Sequence, residues 1–152
     1  MIVEKILLAV HVVAGILFVG PVTVTTSIFP RFVPVRDPAQ GALRAPRNTP
    51  VPTMLYRITR TYALLAIIVP AVGLVLAAVQ GRFGEVWIVV AMVLTAVAGG
   101  LLALRLVPLQ ADTLRDAATE GDLRSLRMLT GVFNLLWVAV VVLMIVRPGA
   151  EK

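Results

Sequence analysis

The side chain with the greatest chemical potential is a histidine inside a long apolar run. His11 is the chain's one histidine, and Gly15 follows it four residues later. On a helix this spacing predicts a small notch beside the imidazole, which could accept a haem, a quinone headgroup or a proton. The alternative is structural, because a histidine in lipid also hydrogen-bonds a neighbouring helix or reaches the headgroups. A second axial haem ligand would have to be Met92, Met144 or the His11 of a second copy.

Hydroxyl groups are the next candidates, and they are predicted to lie at one level of the bundle. The set comprises Thr23, Thr25, Thr26, Ser27, Thr61, Tyr62 and Thr130. Asn134 lies somewhat deeper and should face the bundle or another protein, since lipid offers its amide no partner. These groups could line a polar pocket open to the cytoplasm. The favoured alternative is that they make interhelical hydrogen bonds and bonds to carbonyls of their own helix.

Small residues recur at four-residue spacing in the middle of the chain. The pairs are Gly73 and Ala77, Ala96 and Gly100, and Gly99 and Ala103. On a membrane helix this spacing lets two backbones approach closely. It predicts helix packing, either inside the bundle or against a partner.

Several classes of site have no counterpart in the sequence. No Asp, Glu or Lys lies inside an apolar run, so coupled ion transport lacks its usual carboxylates. Cysteine is absent, and no phosphate-binding loop, Ser-His-Asp set or His/Asp/Glu metal motif is present. These absences favour a protein that is not an enzyme and carries no resident cofactor or metal.

The apolar runs predict an all-α, integral membrane four-helix bundle. The composition is 59% hydrophobic and 14% charged, whereas soluble domains average about 25% charged residues. The predicted spans are residues 6–29, 55–80, 86–107 and 124–147, each long enough to cross the roughly 30 Å hydrocarbon core of a bilayer. We expect one membrane domain, residues 1–152, with no soluble domain.

Basic residues are distributed unevenly between the two ends of these spans. The first and third loops with their flanks carry Arg31, Arg36, Arg44, Arg47, Arg57, Arg60, Arg105, Arg115, Arg124 and Arg127. The other end carries Lys5, Arg82, Arg147 and Lys152. The bias predicts cytoplasmic loops 1 and 3 and both termini on the outer, periplasmic side. Because these charges flank apolar runs, anionic lipid headgroups are a simpler partner than nucleic acid.

The first loop, residues 30–52, is rich in proline as well as arginine. Proline fixes φ and removes donors, so we predict neither helix nor sheet there. The loop is interpreted as an extended basic strap on headgroups or on a partner protein, or as a solvated linker. The candidate contacts to lipid headgroups or to a partner are the arginines of this loop (Arg31, Arg36, Arg44 and Arg47) together with Arg57 and Arg60. Asp122 is predicted to cap the last helix.

Three short motifs resemble a known family. They are His11-Val-Val-Ala-Gly15, Val107-Pro-Leu-Gln110 followed by Leu114-Arg115, and the stretch 143–148. Together they resemble short bacterial four-helix integral membrane proteins that are catalogued only as a domain of unknown function. The resemblance implies a four-helix fold and a location in the bacterial inner membrane. It implies no reaction.

The opening His-x-x-x-Gly is also similar to two other groups, the four-helix membrane protoporphyrinogen oxidases and the copper-resistance membrane proteins. Further ligands of the oxidases have no match here, so no catalytic role is transferred.

The chain departs from the first family at Phe18-Val19-Gly20, where a tryptophan–glycine pair is typical. The long proline-rich first loop is a second departure.

Two functional hypotheses follow. The first is a non-enzymatic accessory or scaffold subunit that docks on a larger membrane complex, with a respiratory complex as one candidate. Its partners would be membrane lipids and other membrane subunits or a second copy. The alternative is a small haem-, quinone- or metal-related membrane protein, or a transporter component, that uses His11.

Overall fold

The architecture is that of four long helices with no sheet in the described part of the chain. A computed structural model describes residues 2–36 and 50–149. The helices are α1 (Ile2–Arg31), α2 (Pro50–Val79), α3 (Val86–Asp116) and α4 (Glu120–Val146). Each is long and apolar enough to cross a membrane, so the predicted all-α class with four helices of spanning length is confirmed. Arg44, Arg47 and the rest of residues 37–49 lie outside the described residues.

The helices extend beyond the predicted spans at the end where α2 and α4 begin. We call this end, which carries Arg31, Arg57, Arg115 and Arg124, the basic end. The prediction that residues 30–52 contain no helix is wrong at both margins. Residues Phe29–Arg31 form a 3-10 turn, and the prolines at 50 and 52 lie in the first turn of α2. A first helical turn tolerates proline because its N–H groups have no intrahelical acceptor.

Two helices contain a wide π-helical turn, and each turn ends two residues before a proline. The turn Gly15–Val19 precedes Pro21 in α1, and the turn Leu102–Leu106 precedes Pro108 in α3. Proline offers no N–H to the carbonyl four residues earlier, and its ring clashes with that carbonyl. Widening the turn relieves the clash, so these prolines distort the helices without ending them.

Proline has a different effect in α2. Pro70 leaves the Ala66 carbonyl without its usual donor, and the Val69 N–H binds it instead at 3.1 Å. The helix is therefore interrupted between Leu65 and Ile68.

Packing follows an up-and-down order in which α1 lies along α2, and α3 lies along α4. Helix α1 also contacts α4, whereas α2 and α3 meet mainly at the basic end. The main core contains Phe29, Leu106, Leu126 and Phe133. Large apolar side chains also cover the outside, as at Leu104, which is 75% exposed. Such an apolar exterior suits contact with lipid.

The described start of the first loop returns to the bundle. At the basic end, Arg36 N–H donates to the Ala118 carbonyl (2.9 Å), and Ala118 N–H donates to the Pro34 carbonyl (2.8 Å). The strap therefore begins on the protein itself, against the α3–α4 loop. Helix α4 starts with Thr119 as its cap and Asp122 as the third helical residue of a capping box, so the predicted cap at Asp122 is wrong.

Interfacial side chains close the opposite end. Arg82 and Glu85 form an ion pair at 3.4 Å in the α2–α3 turn, and the Trp87 indole donates to the Glu85 carboxylate. The Arg147 guanidinium lies 5.7 Å from the centre of the Trp87 ring. This cation–π contact joins the end of α4 to the start of α3.

Candidate functional site

His11 joins the first two helices. Its side chain is buried (8% exposed), and Nδ1 lies 2.9 Å from the Val69 carbonyl oxygen of α2. A carbonyl oxygen can only accept, so Nδ1 carries the proton and donates. The imidazole is thus held between α1 and α2.

The glycine that makes room for this imidazole is Gly73. A Cβ atom at position 73 would lie 2.8 Å from His11 Cε1, closer than real Cβ contacts, and 3.2 Å from Nδ1, which is also tight. A Cβ at Gly15, the residue predicted to leave a notch beside the imidazole, would meet nothing within 4 Å, so the space there is open and the notch at Gly15 stays a prediction. Gly15 begins the π-helical turn of α1, whereas Gly73 stands one turn beyond Val69 on α2.

The free nitrogen of His11 defines what chemistry the site can offer. With Nδ1 donating, Nε2 holds the lone pair, and it has no hydrogen-bond partner within residues 2–36 and 50–149. The same residues contain no group of three or more His, Cys, Asp or Glu that could hold a metal ion. The site therefore presents one nitrogen ligand rather than a coordination sphere.

A second contact between α1 and α2 lies deeper toward the basic end. The hydroxyl oxygens of Thr25 and Thr59 are 2.8 Å apart and buried. Each hydroxyl also lies near a carbonyl of its own helix, Pro21 for Thr25 (2.8 Å) and Leu55 for Thr59 (3.0 Å). The sequence predicted Thr61 at this level, but Thr61 faces outward and Thr59 is the partner.

These two contacts define one antiparallel register. Fourteen residues separate His11 from Thr25, and the same number separates Thr59 from Gly73. A sequence signal existed, because pairing the only histidine with the small residue at equal depth on the next span selects Gly73.

Helix α4 hydrogen-bonds to the hydroxyl-bearing segment of α1. Thr130 donates to the Thr26 carbonyl at 3.4 Å, and the Asn134 amide donates to the Ser27 hydroxyl at 3.3 Å. Asn134 therefore faces α1, while its Oδ1 is buried without a partner in the described residues. For Thr25, Thr130, Asn134 and Ser27 the geometry corresponds to interhelical bonding, the second of the two interpretations.

The small residues divide into two groups. Ala77 is buried beside Trp87 and Ile88, and Gly73 receives the imidazole. The remaining four form an outward surface on α3, which we call the small-residue face: Ala96, Gly99, Gly100 and Ala103. A Cβ on either glycine would meet nothing within 4 Å. This face packs against no other helix in the described residues.

A cavity of about 670 Å³ lies between α2 and α3 at the basic end. We call it the arginine groove, because Arg57 and Arg60 of α2 and Arg115 of α3 line it. Tyr56 also lines it, and Leu64 forms the end nearest the apolar part of α2. Sequence reasoning singled out Arg57 and Arg60 but did not join Arg115 to them. Only the packing of α2 against α3 brings the three together.

The other predicted arginines have different positions. Arg31 is exposed at the end of α1, and Arg36 donates from its guanidinium to the Asp116 carbonyl at 3.3 Å. Arg36 also lines a smaller cavity of about 220 Å³ together with Asp112, Asp116 and Asp122. These two arginines therefore do not contribute to the arginine groove.

Gln110 was not singled out as a site from the sequence, although it is fully buried. Neither amide atom of its side chain has a partner within the described residues. Buried amides normally bind a protein group or an ordered water. Its membership in an apolar-flanked motif, Val107-Pro-Leu-Gln110, was the available signal.

Neither cavity is lined by His11. The candidate features are thus three: a histidine between helices, an outward small-residue face and a basic groove. Comparison of the chain with models of protein families, with curated proteins and with solved structures finds no match.

Proposed function

We propose that the chain is a non-enzymatic accessory subunit that packs against another protein in the bacterial inner membrane. The observation that carries the proposal is the small-residue face of α3, which is apolar, uncharged and without a neighbouring helix in the described residues. The proposed occupant is an apolar transmembrane helix of a partner protein.

Membrane helices associate through close packing and not through loss of water. Small residues allow two backbones to approach, which increases van der Waals contact. The exterior beside this face carries larger side chains, such as Val97 (52% exposed) and Leu104 (75% exposed). The small-residue face is therefore a shallow depression that a second helix can fill.

The hydrogen bonds of the polar side chains inside the bundle support the same proposal. Thr25, Thr59, Thr26, Thr130 and Asn134 all make hydrogen bonds inside the bundle. His11 also uses its N–H in an interhelical bond. These groups stabilise the fold, which leaves the outer surfaces as the place for function.

Orientation is part of the proposal. The basic end carries most of the arginines, and short loops rich in arginine stay in the cytoplasm. We therefore place the basic end inside and both termini in the periplasm. A reporter enzyme fused after Arg147 should be active in the periplasm and inactive when fused within the α3–α4 loop.

Copurification from native membranes tests the proposal. The tagged protein, isolated in mild detergent, should carry a partner in fixed stoichiometry. Gly100→Leu should remove that partner, because the leucine side chain fills the depression. Gly131→Leu is the matched control, since Gly131 also faces outward and its added Cβ meets nothing within 4 Å, but it lies on α4. Equal retention or equal loss in both variants would count against the proposal.

A second candidate function rests on the unpartnered Nε2 of His11, which could serve a haem, a quinone or a metal. An absorption spectrum of the protein purified from native membranes tests this function. A haem bound through His11 gives a Soret band that His11→Ala abolishes. A colourless protein whose His11→Ala variant retains its partner and its cellular role excludes this function.

A further inference from the structure

The arginine groove combines positive charge with an apolar end. Arg57 and Arg60 make no hydrogen bond or ion pair within residues 2–36 and 50–149. The nearby aspartates of α3, Asp112 and Asp116, line the other cavity. The groove is therefore a concave surface lined by arginines, and none of the described aspartates lines it.

Its lining suits a phosphate group. Arginine presents several N–H donors in a fixed plane that matches phosphate oxygens. Tyr56 and Thr61 of α2 add hydroxyl groups, and both line the groove. Guanidinium and hydroxyl donors together can satisfy a phosphate that has left bulk water.

The position of the groove distinguishes a lipid from a soluble phosphate. From Thr53 in the first turn of α2 to Leu64, the lining spans about 16 Å along the helix axis. The donors lie toward the basic end, and Leu64 lies where α2 becomes continuously apolar. A phospholipid has the same order of parts, with a charged headgroup followed by acyl chains.

We propose that the arginine groove is a binding site for the phosphate headgroup of an anionic phospholipid, with the acyl chains leaving past Leu64. The volume of about 670 Å³ is sufficient for a headgroup and the glycerol that follows it. This site is separate from the small-residue face and goes beyond the proposed partner function.

Lipid binding in a neutral detergent tests the proposal, with cardiolipin and phosphatidylglycerol as anionic probes and phosphatidylcholine as the zwitterionic one. Native mass spectrometry counts the bound lipids and gives their Kd. Each arginine near a membrane surface contributes about a fivefold change in affinity, so Arg57→Gln with Arg60→Gln should weaken anionic-lipid binding about 30-fold. Binding of phosphatidylcholine should be weak in every variant.

Arg124→Gln with Arg127→Gln is the matched control. Both arginines are exposed at the basic end of α4, outside the groove, and their removal changes the net charge equally. This control should retain anionic-lipid affinity within about twofold. Equal weakening in the two double variants would overturn the proposal, because it would assign binding to diffuse surface charge.

Competition with inorganic phosphate is the second test of the lipid assignment. Millimolar phosphate should leave most of the bound cardiolipin in place, since it lacks acyl chains. If phosphate binds through Arg57 and Arg60 while the lipids do not, the lipid assignment is wrong and the groove serves a soluble anion. If neither probe binds the wild-type protein, the site itself is refuted. Should the double variant unfold, Arg60→Gln against Arg124→Gln repeats the comparison with one charge.

Discussion

Replacing Gly73 with alanine is expected to destabilise the protein by up to about 2 kcal/mol. The added methyl would lie 2.8 Å from His11 Cε1, so the imidazole must move and stretch its 2.9 Å bond to the Val69 carbonyl. Overpacking of this kind costs about 1–3 kcal/mol. Alanine's higher helix propensity returns about 1 kcal/mol, which leaves a net cost of about 0–2 kcal/mol.

The same substitution in a His11→Ala background should have the opposite sign. Without the imidazole, the methyl added at position 73 enters the space that the ring has left. The propensity gain then remains, and Gly73→Ala should be neutral or stabilising by about 0.5–1 kcal/mol. The coupling free energy between the two positions is therefore expected to be about 2 kcal/mol. His11→Ala alone should cost about 1–2 kcal/mol for the lost hydrogen bond and packing.

Equilibrium unfolding in mixed micelles of a mild detergent and dodecyl sulfate, followed by far-UV circular dichroism, measures all four proteins. Gly99→Ala serves as the control for helix propensity, because a Cβ at position 99 meets nothing within 4 Å. If Gly73→Ala behaves like Gly99→Ala, or costs the same with and without His11, the imidazole is not seated against Gly73. The proposed role of this glycine would then be refuted.

Two further changes test the packing elsewhere. Thr59→Val should destabilise the protein by about 0.5–1 kcal/mol in the same unfolding assay, because it removes the hydroxyl that contacts Thr25. Thr95→Val is the control and should be near neutral, because the Thr95 hydroxyl binds only the Ala91 carbonyl of its own helix. Equal costs would show that the Thr25–Thr59 contact adds nothing. Ala117→Gly should raise stability by about 1 kcal/mol, since Ala117 adopts a positive φ of 57° that favours glycine. A destabilised Ala117→Gly protein would contradict this account of the α3–α4 loop.

The helices were predictable because uncharged runs of sufficient length leave the backbone few alternatives in lipid. Each predicted span lies inside an observed helix apart from the last residues of spans two and four, Gln80 and Arg147. The ends were predicted less well. Helix α2 begins before its predicted span, at Pro50, since proline is accepted in a first turn. The end of helix α3 was predictable, because Leu109 and Leu114 recur among charged residues beyond the apolar run, and the helix continues past its span to Asp116.

The candidate site was predictable only in part. The sequence identified His11 and the hydroxyl groups as polar residues that a membrane helix must satisfy. It could not assign their partners, because Val69, Gly73 and Thr59 lie on another helix whose rotation composition does not fix. The same limit applies to the arginine groove, where Arg115 joins Arg57 only through the contact of α2 with α3.

The sequence by itself determined the number of apolar helices and the concentration of arginine at one end, because both follow from the cost of placing charge and unpaired backbone in lipid. The tertiary structure alone decided which small residues pack and which remain outside. Spacing of glycine and alanine is identical on buried and exposed faces, so Gly73 and Gly99 differ only in what their neighbours are: an imidazole in one case and open space in the other.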